Sequence, residues 1–160
     1  IERKGHHLVI EALADLPGWQ LLLVGDGPQE NALRALVSQR GLARRVRFLG
    51  RLDQHQLVDY YSASDVLVLA SSREGWANVL LESMACGTPV VATPVDGTPE
   101  VVASPDAGVL TRDRSVDAIR DGLLAFQKNP PKRAATRAYA EQFDWSDTSQ
   151  GQLDIFRQIV

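Results

Sequence analysis

This chain of 160 residues has little of what marks several large classes of protein. Its single cysteine, Cys86, cannot form an internal disulfide, which favours a reducing compartment. No stretch of the sequence approaches the ~20 apolar residues that a membrane-spanning helix needs. The net charge is -3 and the basic residues are scattered, which argues against a nucleic-acid partner. We therefore expect a cytoplasmic protein, and the composition leaves open peripheral contact with the inner face of a membrane.

The sequence also lacks the motifs of several kinds of active site. No spacing of His, Cys, Asp and Glu predicts a metal site. Ser83 lies outside any Gly-x-Ser-x-Gly motif, and the lone cysteine is interpreted as a small core residue. Gly25 and Gly27 do not complete the dinucleotide motif G-x-G-x-x-G. His6 and His7 are adjacent, so they would not face one another on a helix and are expected to be surface or partly packed residues.

What is present is a regular alternation of helix and strand patterns. Helical patterns and strand patterns follow one another along most of the chain, with turn residues between them. Strands are predicted at 20–24, 45–49, 66–70, 89–92 and 108–110, and helices at 9–16, 33–41, 53–61, 78–86, 116–126, 132–143 and 146–160. This order predicts an α/β fold with a parallel, doubly wound sheet, helices on both faces and a helical tail.

Local signals predict where three of the helical segments begin. Asp53 and Gln56 form a plausible capping pair, and Ser115 can cap the helix that follows it. Thr98 is expected to cap a short turn with Pro99 at its first helical position.

The segment between residues 65 and 93 is the most informative one. A strand at 66–70 and a helix at 78–86 enclose a loop, which therefore lies at the carboxyl edge of the sheet, where ligands of α/β proteins bind. The amides of residues 77–79 open that helix and suit a phosphate group. A plainer interpretation is that Asn78 caps a core helix.

Two glutamates and a lysine are expected to surround this loop. Glu82, one turn into the helix, could bind two vicinal hydroxyls of a ribose. Glu74, beside Gly75, could hold a sugar hydroxyl or stabilise positive charge at a reacting carbon. Lys4 could neutralise a diphosphate leaving group. Each residue alone also fits a structural or surface role, but together they predict a site for a polyhydroxylated phosphate ester.

These residues resemble the carboxyl-terminal, donor-binding domain of retaining glycosyltransferases of the GT-B fold, family 4, which carry two glutamates separated by seven residues. Glu74 and Glu82 have this spacing, and the resemblance runs from Lys4 to about Trp145. Further matches are Lys4-Gly5, Val24-Gly25-Asp26-Gly27-Pro28, Phe48-Leu49-Gly50, Ser71-Ser72, Ala85-Cys86-Gly87-Thr88-Pro89-Val90-Val91-Ala92, Glu100 and Phe143-Asp144-Trp145.

The resemblance implies a Rossmann-like α/β domain and transfer of a hexose from a UDP- or GDP-sugar to an acceptor hydroxyl, with no metal or other cofactor. By resemblance, Glu74 and Lys4 are catalytic, next to the donor sugar and the donor phosphates, and Glu82 holds the ribose. The other donor-binding positions that the resemblance implies are Ala77, Asn78 and Val79 over the diphosphate, Gly50, Arg51 and Leu52 around the nucleobase, and Gly27 on the floor of the site.

The chain departs from the family pattern in three respects. Asp96-Gly97 stands where two glycines are common, and Trp76 stands where phenylalanine is usual. The first strand of the family pattern, expected ahead of Lys4, is absent together with the arginine that accompanies it, as is the amino-terminal acceptor-binding domain. We therefore expect residues 1–160 to be the donor-binding half of a longer protein, inactive when isolated, whose partners are the sugar donor and the missing domain.

Two alternatives remain open at this stage. One is a nucleotide-sugar-binding module without chemistry of its own, which the missing acceptor domain favours. The other is a sugar-nucleotide epimerase of GT-B-like architecture, from which the paired glutamates and the following Cys86-Gly87-Thr88-Pro89 stretch would not be expected.

Overall fold

A computed structural model describes residues 2–143, 150 and 153–157 of the chain. After a short 3-10 turn at Glu2–Lys4, strands and helices alternate as the sequence predicts. The elements are α1 His6–Ala14, β1 Leu21–Val24, α2 Glu30–Gln39, β2 Val46–Gly50, α3 Gln54–Ala63, β3 Leu67–Leu69, α4 Asn78–Ala85, β4 Val90–Ala92, α5 Thr98–Val101, β5 Gly108–Leu110, α6 Val116–Lys128 and α7 Arg133–Ala140.

The strands pair in parallel, and their hydrogen bonds divide them into two sheets. In the first sheet β1 lies beside β2, and in the second the order is β3-β4-β5. Helices cover both faces of the second sheet, with α4, α5 and α7 on one face and α1 and α6 on the other. The predicted α/β fold is confirmed, and the parallel strands bring their carboxyl ends to one edge of each sheet.

Strand β4 shows how the core is built. Val90 and Ala92 pack on the side of α4, whereas Val91 between them packs on the side of α1 and α6. All three are at most 1% exposed, as expected for a parallel strand buried on both faces. Gly108 on β5 lies so close that a Cβ atom there would be 2.0 Å from the carbonyl oxygen of Val90. A side chain at that position would therefore force the two strands apart.

Two of the three predicted helix starts are confirmed and one is wrong. Asp53 accepts the Gln56 N–H at 2.8 Å in a reciprocal capping box, and Ser115 caps α6. Thr98, by contrast, is the first residue of α5, and Gly97 occupies the cap position. The Thr98 side chain is fully buried, and its hydroxyl has no partner among the described residues. It points into the core and therefore cannot reach the helix amides.

One arginine ties the carboxyl ends of α3 and α4 to the start of α7. The Arg133 guanidinium donates to the carbonyl oxygens of Ser62 and Ser64 at 2.8 Å, to the carbonyl of Cys86 at 3.3 Å and to the Thr88 hydroxyl at 2.8 Å. Cys86 follows the last residue of α4 and is partly exposed, so it is not the buried core residue that the sequence predicts.

The predicted carboxyl-terminal helix at 146–160 lies mostly outside the described residues, although residues 153–157 are helical. In the part of the chain that the structure describes, no helix is long and apolar enough to cross a membrane.

Candidate functional site

The chain enters α1 through a turn that requires glycine. Gly5 has a φ of 68°, and a Cβ atom there would lie 2.1 Å from the carbonyl oxygen of Ala70, just past the end of β3. Two residues earlier, the carbonyl oxygen of Arg3 accepts the N–H of Ser72 at 2.8 Å. This close approach places Lys4 beside the loop that follows β3, at the edge where the sequence predicts it.

Glu74 lies in this loop, and one of its carboxylate oxygens accepts two hydrogen bonds. Lys4 Nζ and Ser71 Oγ each lie 2.5 Å from Glu74 Oε1. Ser71 is itself held, because the Thr93 hydroxyl donates to its carbonyl oxygen at 2.8 Å. The Glu74 side chain is 12% exposed. Its second oxygen, Oε2, has no partner in the described part of the chain and is therefore free to meet a ligand.

The surroundings of Glu74 keep its carboxylate ionised. Burial alone would raise the pKa of Glu74, but the hydrogen bonds from Lys4 and Ser71 and the charges of Lys4 and Arg3 outweigh it and lower the pKa. At neutral pH the group is therefore an anion that can accept hydrogen bonds from hydroxyls or stabilise positive charge. It is poorly suited to donating a proton.

The backbone of the same loop is held from β4. Asp96, in the loop after β4, accepts the backbone N–H of Glu74 on its Oδ2 at 2.7 Å. A Cβ atom on Gly97 would lie 3.1 Å from the carbonyl oxygen of Gly75. The Trp76 ring lies beside Gly97 as well, and Trp76 is 49% exposed. The two loops thus support each other at the edge of the sheet.

The start of α4 leaves backbone N–H groups free. Ala77 is its N-cap and offers no side-chain acceptor, so the plainer interpretation of Asn78 as a capping residue is wrong. The N–H groups of Ala77 and Val79 have no partner in the described residues, whereas that of Asn78 donates to the carbonyl oxygen of Trp76 at 3.0 Å. Two of the three predicted amides thus lack an acceptor within the described residues, as a site for an anion requires, although Ala77 itself is buried and Val79 is partly buried.

Glu82 lies one turn further along α4 and is exposed. The hydroxyl of Tyr61 on α3 is its nearest hydrogen-bond donor, at 3.5 Å from Oε2. Burial and the nearby Glu82 charge raise the pKa of Tyr61 to about 12. The phenol therefore stays protonated at neutral pH and can donate a hydrogen bond to Glu82. No hydrogen bond or ion pair within the described residues joins Glu82 to Glu74.

A second group of predicted residues lies where β1 and β2 end. The Gly25 N–H donates to the Gly50 carbonyl oxygen at 2.7 Å, so the two loops meet. The exposed Arg51 guanidinium lies 3.2 Å from the Asp26 carboxylate. Gly27 lines a cavity of about 60 Å³ below these loops. The structure therefore groups the predicted floor and nucleobase positions together.

His6 lines the same cavity and is partly buried, as is its neighbour His7, which fits the prediction of partly packed histidines. Burial, and to a lesser extent the charge of Lys4, lowers the pKa of His6. Leu52 is also partly buried, directly after Arg51. Across residues 2–143, 150 and 153–157, no group of His, Cys, Asp and Glu is arranged to hold a metal ion.

Three residues at the site carry no assigned role in the sequence analysis. Ser71 enters there only as part of a sequence match, and Asp96 only as a departure from the family pattern. Tyr61 belongs to a helix two elements away from the paired glutamates, and no spacing in the sequence links it to Glu82.

Comparison with known proteins places the chain in a family. The model of the family described as "Glycosyl transferases group 1" matches residues 1–143. A GDP-mannose-dependent monoacylated alpha-(1-6)-phosphatidylinositol monomannoside mannosyltransferase of Corynebacterium glutamicum is 34% identical over an alignment of 161 positions, which covers 91% of this chain and 41% of that protein.

Two solved structures share the fold. Sucrose-phosphate synthase from Thermosynechococcus elongatus superposes with a TM-score of 0.85 at 31% identity, over 99% of this chain and 43% of that one. HepE from Anabaena in complex with UDP-glucose superposes with a TM-score of 0.79 at 29% identity, over 99% and 46%. The chain thus spans less than half the length of each relative. It belongs to the glycosyl transferases group 1 family and has the α/β architecture of a GT-B glycosyltransferase domain.

Proposed function

We propose that this chain holds the sugar donor for an enzyme that transfers a hexose from a UDP- or GDP-sugar to an acceptor hydroxyl with retention of the anomeric configuration. The observation that carries the proposal is the ionised Glu74, held by Lys4 and Ser71 in the same loop that leads to the free amides of α4. The name of the mannosyltransferase relative and the UDP-glucose complex of HepE support a nucleotide sugar as the donor.

In the proposed complex, each part of the donor meets a different part of the site. The diphosphate lies at the start of α4, where the N–H groups of Ala77 and Val79 have no partner among the described residues, and near Lys4. The ribose hydroxyls bind the exposed carboxylate of Glu82. The nucleobase lies against Gly50, Arg51 and Leu52. The assignment follows the chemistry of the groups, since amides and ammonium groups suit phosphates and a carboxylate suits paired hydroxyls.

The proposed chemical step breaks the bond between the sugar C1 and the diphosphate oxygen, and the bonding electrons leave with the diphosphate. Lys4 and the free amides of α4 stabilise the negative charge that develops there. Glu74 stabilises the positive charge that develops at the sugar carbon and holds a sugar hydroxyl on its free Oε2. The acceptor oxygen then bonds to C1 on the face that the diphosphate leaves, which preserves the configuration, and the proton of the acceptor hydroxyl passes to the departing diphosphate oxygen.

We also propose that another domain of the protein binds the acceptor, so that residues 1–160 alone bind the donor without turning it over. The length of the relatives supports this, because each is more than twice as long as the part that this chain matches. The proposal includes a cytoplasmic location, a role in polysaccharide or glycoconjugate synthesis, and no requirement for a metal ion.

A calorimetric titration tests the proposal. UDP, GDP, ADP and their common sugar conjugates are titrated in the presence of EDTA into the wild type, Glu82→Gln and Glu141→Gln. Glu141 is a control because it is an exposed carboxylate directly after α7, paired with Arg137 of that helix. We expect one nucleotide to bind in EDTA, and Glu82→Gln to weaken its binding by about 1–3 kcal/mol through the loss of charged hydrogen bonds.

The control variant should bind as the wild type does. The proposal fails if no nucleotide binds the wild type, or if Glu82→Gln binds as tightly as the wild type. Binding that appears only when EDTA is replaced by a divalent cation would contradict the metal-free donor site.

A further inference from the structure

We infer that Asp96 is a positioning residue for Glu74: its carboxylate holds the backbone of the 71–77 loop so that Glu74 faces the donor sugar. The inference rests on the proposed function and deepens it. Asp96 lies 22 positions after Glu74 and is not part of the paired-glutamate pattern.

The first observation is the contact itself. Asp96 Oδ2 accepts the backbone N–H of Glu74 at 2.7 Å, a charge-assisted hydrogen bond between two loops that follow different strands. The Glu74 side chain has separate anchors in Lys4 and Ser71. Asp96 therefore adds an anchor on the main chain of Glu74, and no other hydrogen bond to this main chain occurs within the part of the molecule that the structure describes.

The second observation is the backbone of Asp96. Its φ is 45°, and among the described residues it is the one non-glycine residue with a positive φ. L-residues adopt this conformation at a cost in free energy, and aspartate tolerates it better than most because its short side chain can form local hydrogen bonds. Glycine would remove the cost but also the carboxylate, so the residue present is the one that keeps the bond to Glu74.

The third observation is the turn that presents the carboxylate. Asp96 and Gly97 are the central residues of a turn closed by the Thr98 N–H and the Val95 carbonyl oxygen at 2.9 Å. Gly97 lies close to Gly75, and a side chain on Gly97 would crowd the carbonyl oxygen of Gly75. The turn therefore lies against the Glu74 loop and presents the exposed Asp96 carboxylate to the Glu74 N–H.

Three substitutions separate positioning from a general structural role. Asp96→Asn keeps an acceptor oxygen and tolerates the left-handed backbone, Asp96→Gly removes the acceptor and the strain, and Asp96→Ala removes the acceptor but keeps the strain. If Asp96 had only a structural role, stability and turnover would change together, and both would be highest in Asp96→Gly and lowest in Asp96→Ala. A positioning role predicts that turnover follows the acceptor and stability follows the strain.

The measurements use the full-length protein and whichever of UDP-glucose or GDP-mannose binds the wild type. Turnover is followed as release of the nucleoside diphosphate with water as acceptor, and melting temperature is measured in parallel. We expect Asp96→Gly and Asp96→Ala to lower kcat by about tenfold, the effect of losing one hydrogen bond. Affinity for the free nucleoside diphosphate should stay unchanged, because it carries no sugar for Glu74 to meet.

Asp96→Asn should recover most of the turnover, and Asp96→Gly should melt no lower than the wild type. Hydrogen exchange of the Glu74 amide, measured by NMR, should accelerate in Asp96→Gly. Wild-type kcat or wild-type exchange at Glu74 in Asp96→Gly would overturn the inference. If the wild type binds no nucleotide, the proposed function fails instead, and the exchange rate of the Glu74 amide still decides whether Asp96 holds the loop.

Discussion

The two glutamates of the site differ in how firmly the protein holds them. Glu74 is 12% exposed and is bonded through its side chain to Lys4 and Ser71. Glu82 is exposed, and its nearest donor is the Tyr61 hydroxyl at a distance of 3.5 Å. One carboxylate is therefore in place before a ligand arrives, whereas the other would gain most of its contacts from the ligand.

This difference suits the two tasks that we propose. A group that stabilises charge during bond breaking is most effective when it needs no rearrangement at the moment of reaction. A group that binds ribose needs only to be reachable and ionised. The comparison thus predicts that changes around Glu74 affect the rate and that changes around Glu82 affect nucleotide affinity.

The largest expected effect comes from breaking the firmly held side of this comparison. Glu74→Gln keeps the shape but removes the charge, so it should lower kcat by about 100-fold while leaving affinity for the free nucleoside diphosphate nearly unchanged. Nucleoside diphosphate release from the donor gives kcat, and calorimetry gives the affinity. Glu141→Gln serves again as the control. A kcat within threefold of the wild type would show that Glu74 has no part in the reaction.

A smaller effect, with a pH signature, is expected for Lys4→Met. The Lys4 hydrogen bond and charge help to lower the pKa of Glu74, so the ionised form persists to more acidic pH than for an ordinary glutamate. The contribution of the ionised Glu74 carboxylate is fully present above the ordinary pKa of a glutamate, and it is lost as the pH falls through the lowered pKa of Glu74. Removing Lys4 should lower kcat by about tenfold and move the acid limb of the kcat/KM profile towards neutral pH.

The control for this prediction is Lys128→Met, which removes an exposed lysine at the end of α6. Its pH profile should match that of the wild type. An acid limb that stays in place in Lys4→Met would mean that the ion pair does not set the protonation of Glu74.

The smallest effect should come from the loosely held side. Tyr61→Phe removes the hydroxyl near Glu82, and a 3.5 Å contact is at the limit of hydrogen bonding, so nucleotide affinity should fall by only about twofold. The same change made in Glu82→Gln should have no further effect, since the carboxylate that it serves is gone. A larger loss of affinity, or an equal loss in both backgrounds, would show that Tyr61 acts independently of Glu82.

Sequence reasoning succeeded where partners are close along the chain. Asp53 and Gln56 are three positions apart, so their capping box depends on local geometry alone, and the structure confirms it. Thr98 carries an equally good capping signal, but the packing of α5 buries its side chain and leaves the cap position to Gly97. Local capping signals thus gave correct predictions at Asp53 and Ser115 and a wrong one at Thr98, where tertiary packing overrides the local signal.

The contacts that shape the site are long-range, which limits what the sequence can predict. Lys4 and Glu74 are 70 residues apart. The sequence predicts both at one edge of the sheet in separate roles, but it does not predict their direct contact. Asp96 reaches Glu74 across 22 residues, and Tyr61 reaches Glu82 across 21. Parallel topology brings such loops to one edge, but the turns at Gly5 and Gly97 determine which atoms meet. The catalytic and donor-binding roles of these residues remain predictions.

The most direct test of the account is a crystal structure of the full-length protein with the nucleotide sugar that binds most tightly. We predict that the diphosphate lies at the start of α4, that the ribose meets Glu82, and that the sugar meets Glu74 Oε2 while Lys4, Ser71 and Asp96 keep their contacts with Glu74. A donor bound away from both glutamates, or a Glu74 loop that rearranges to receive it, would contradict the account.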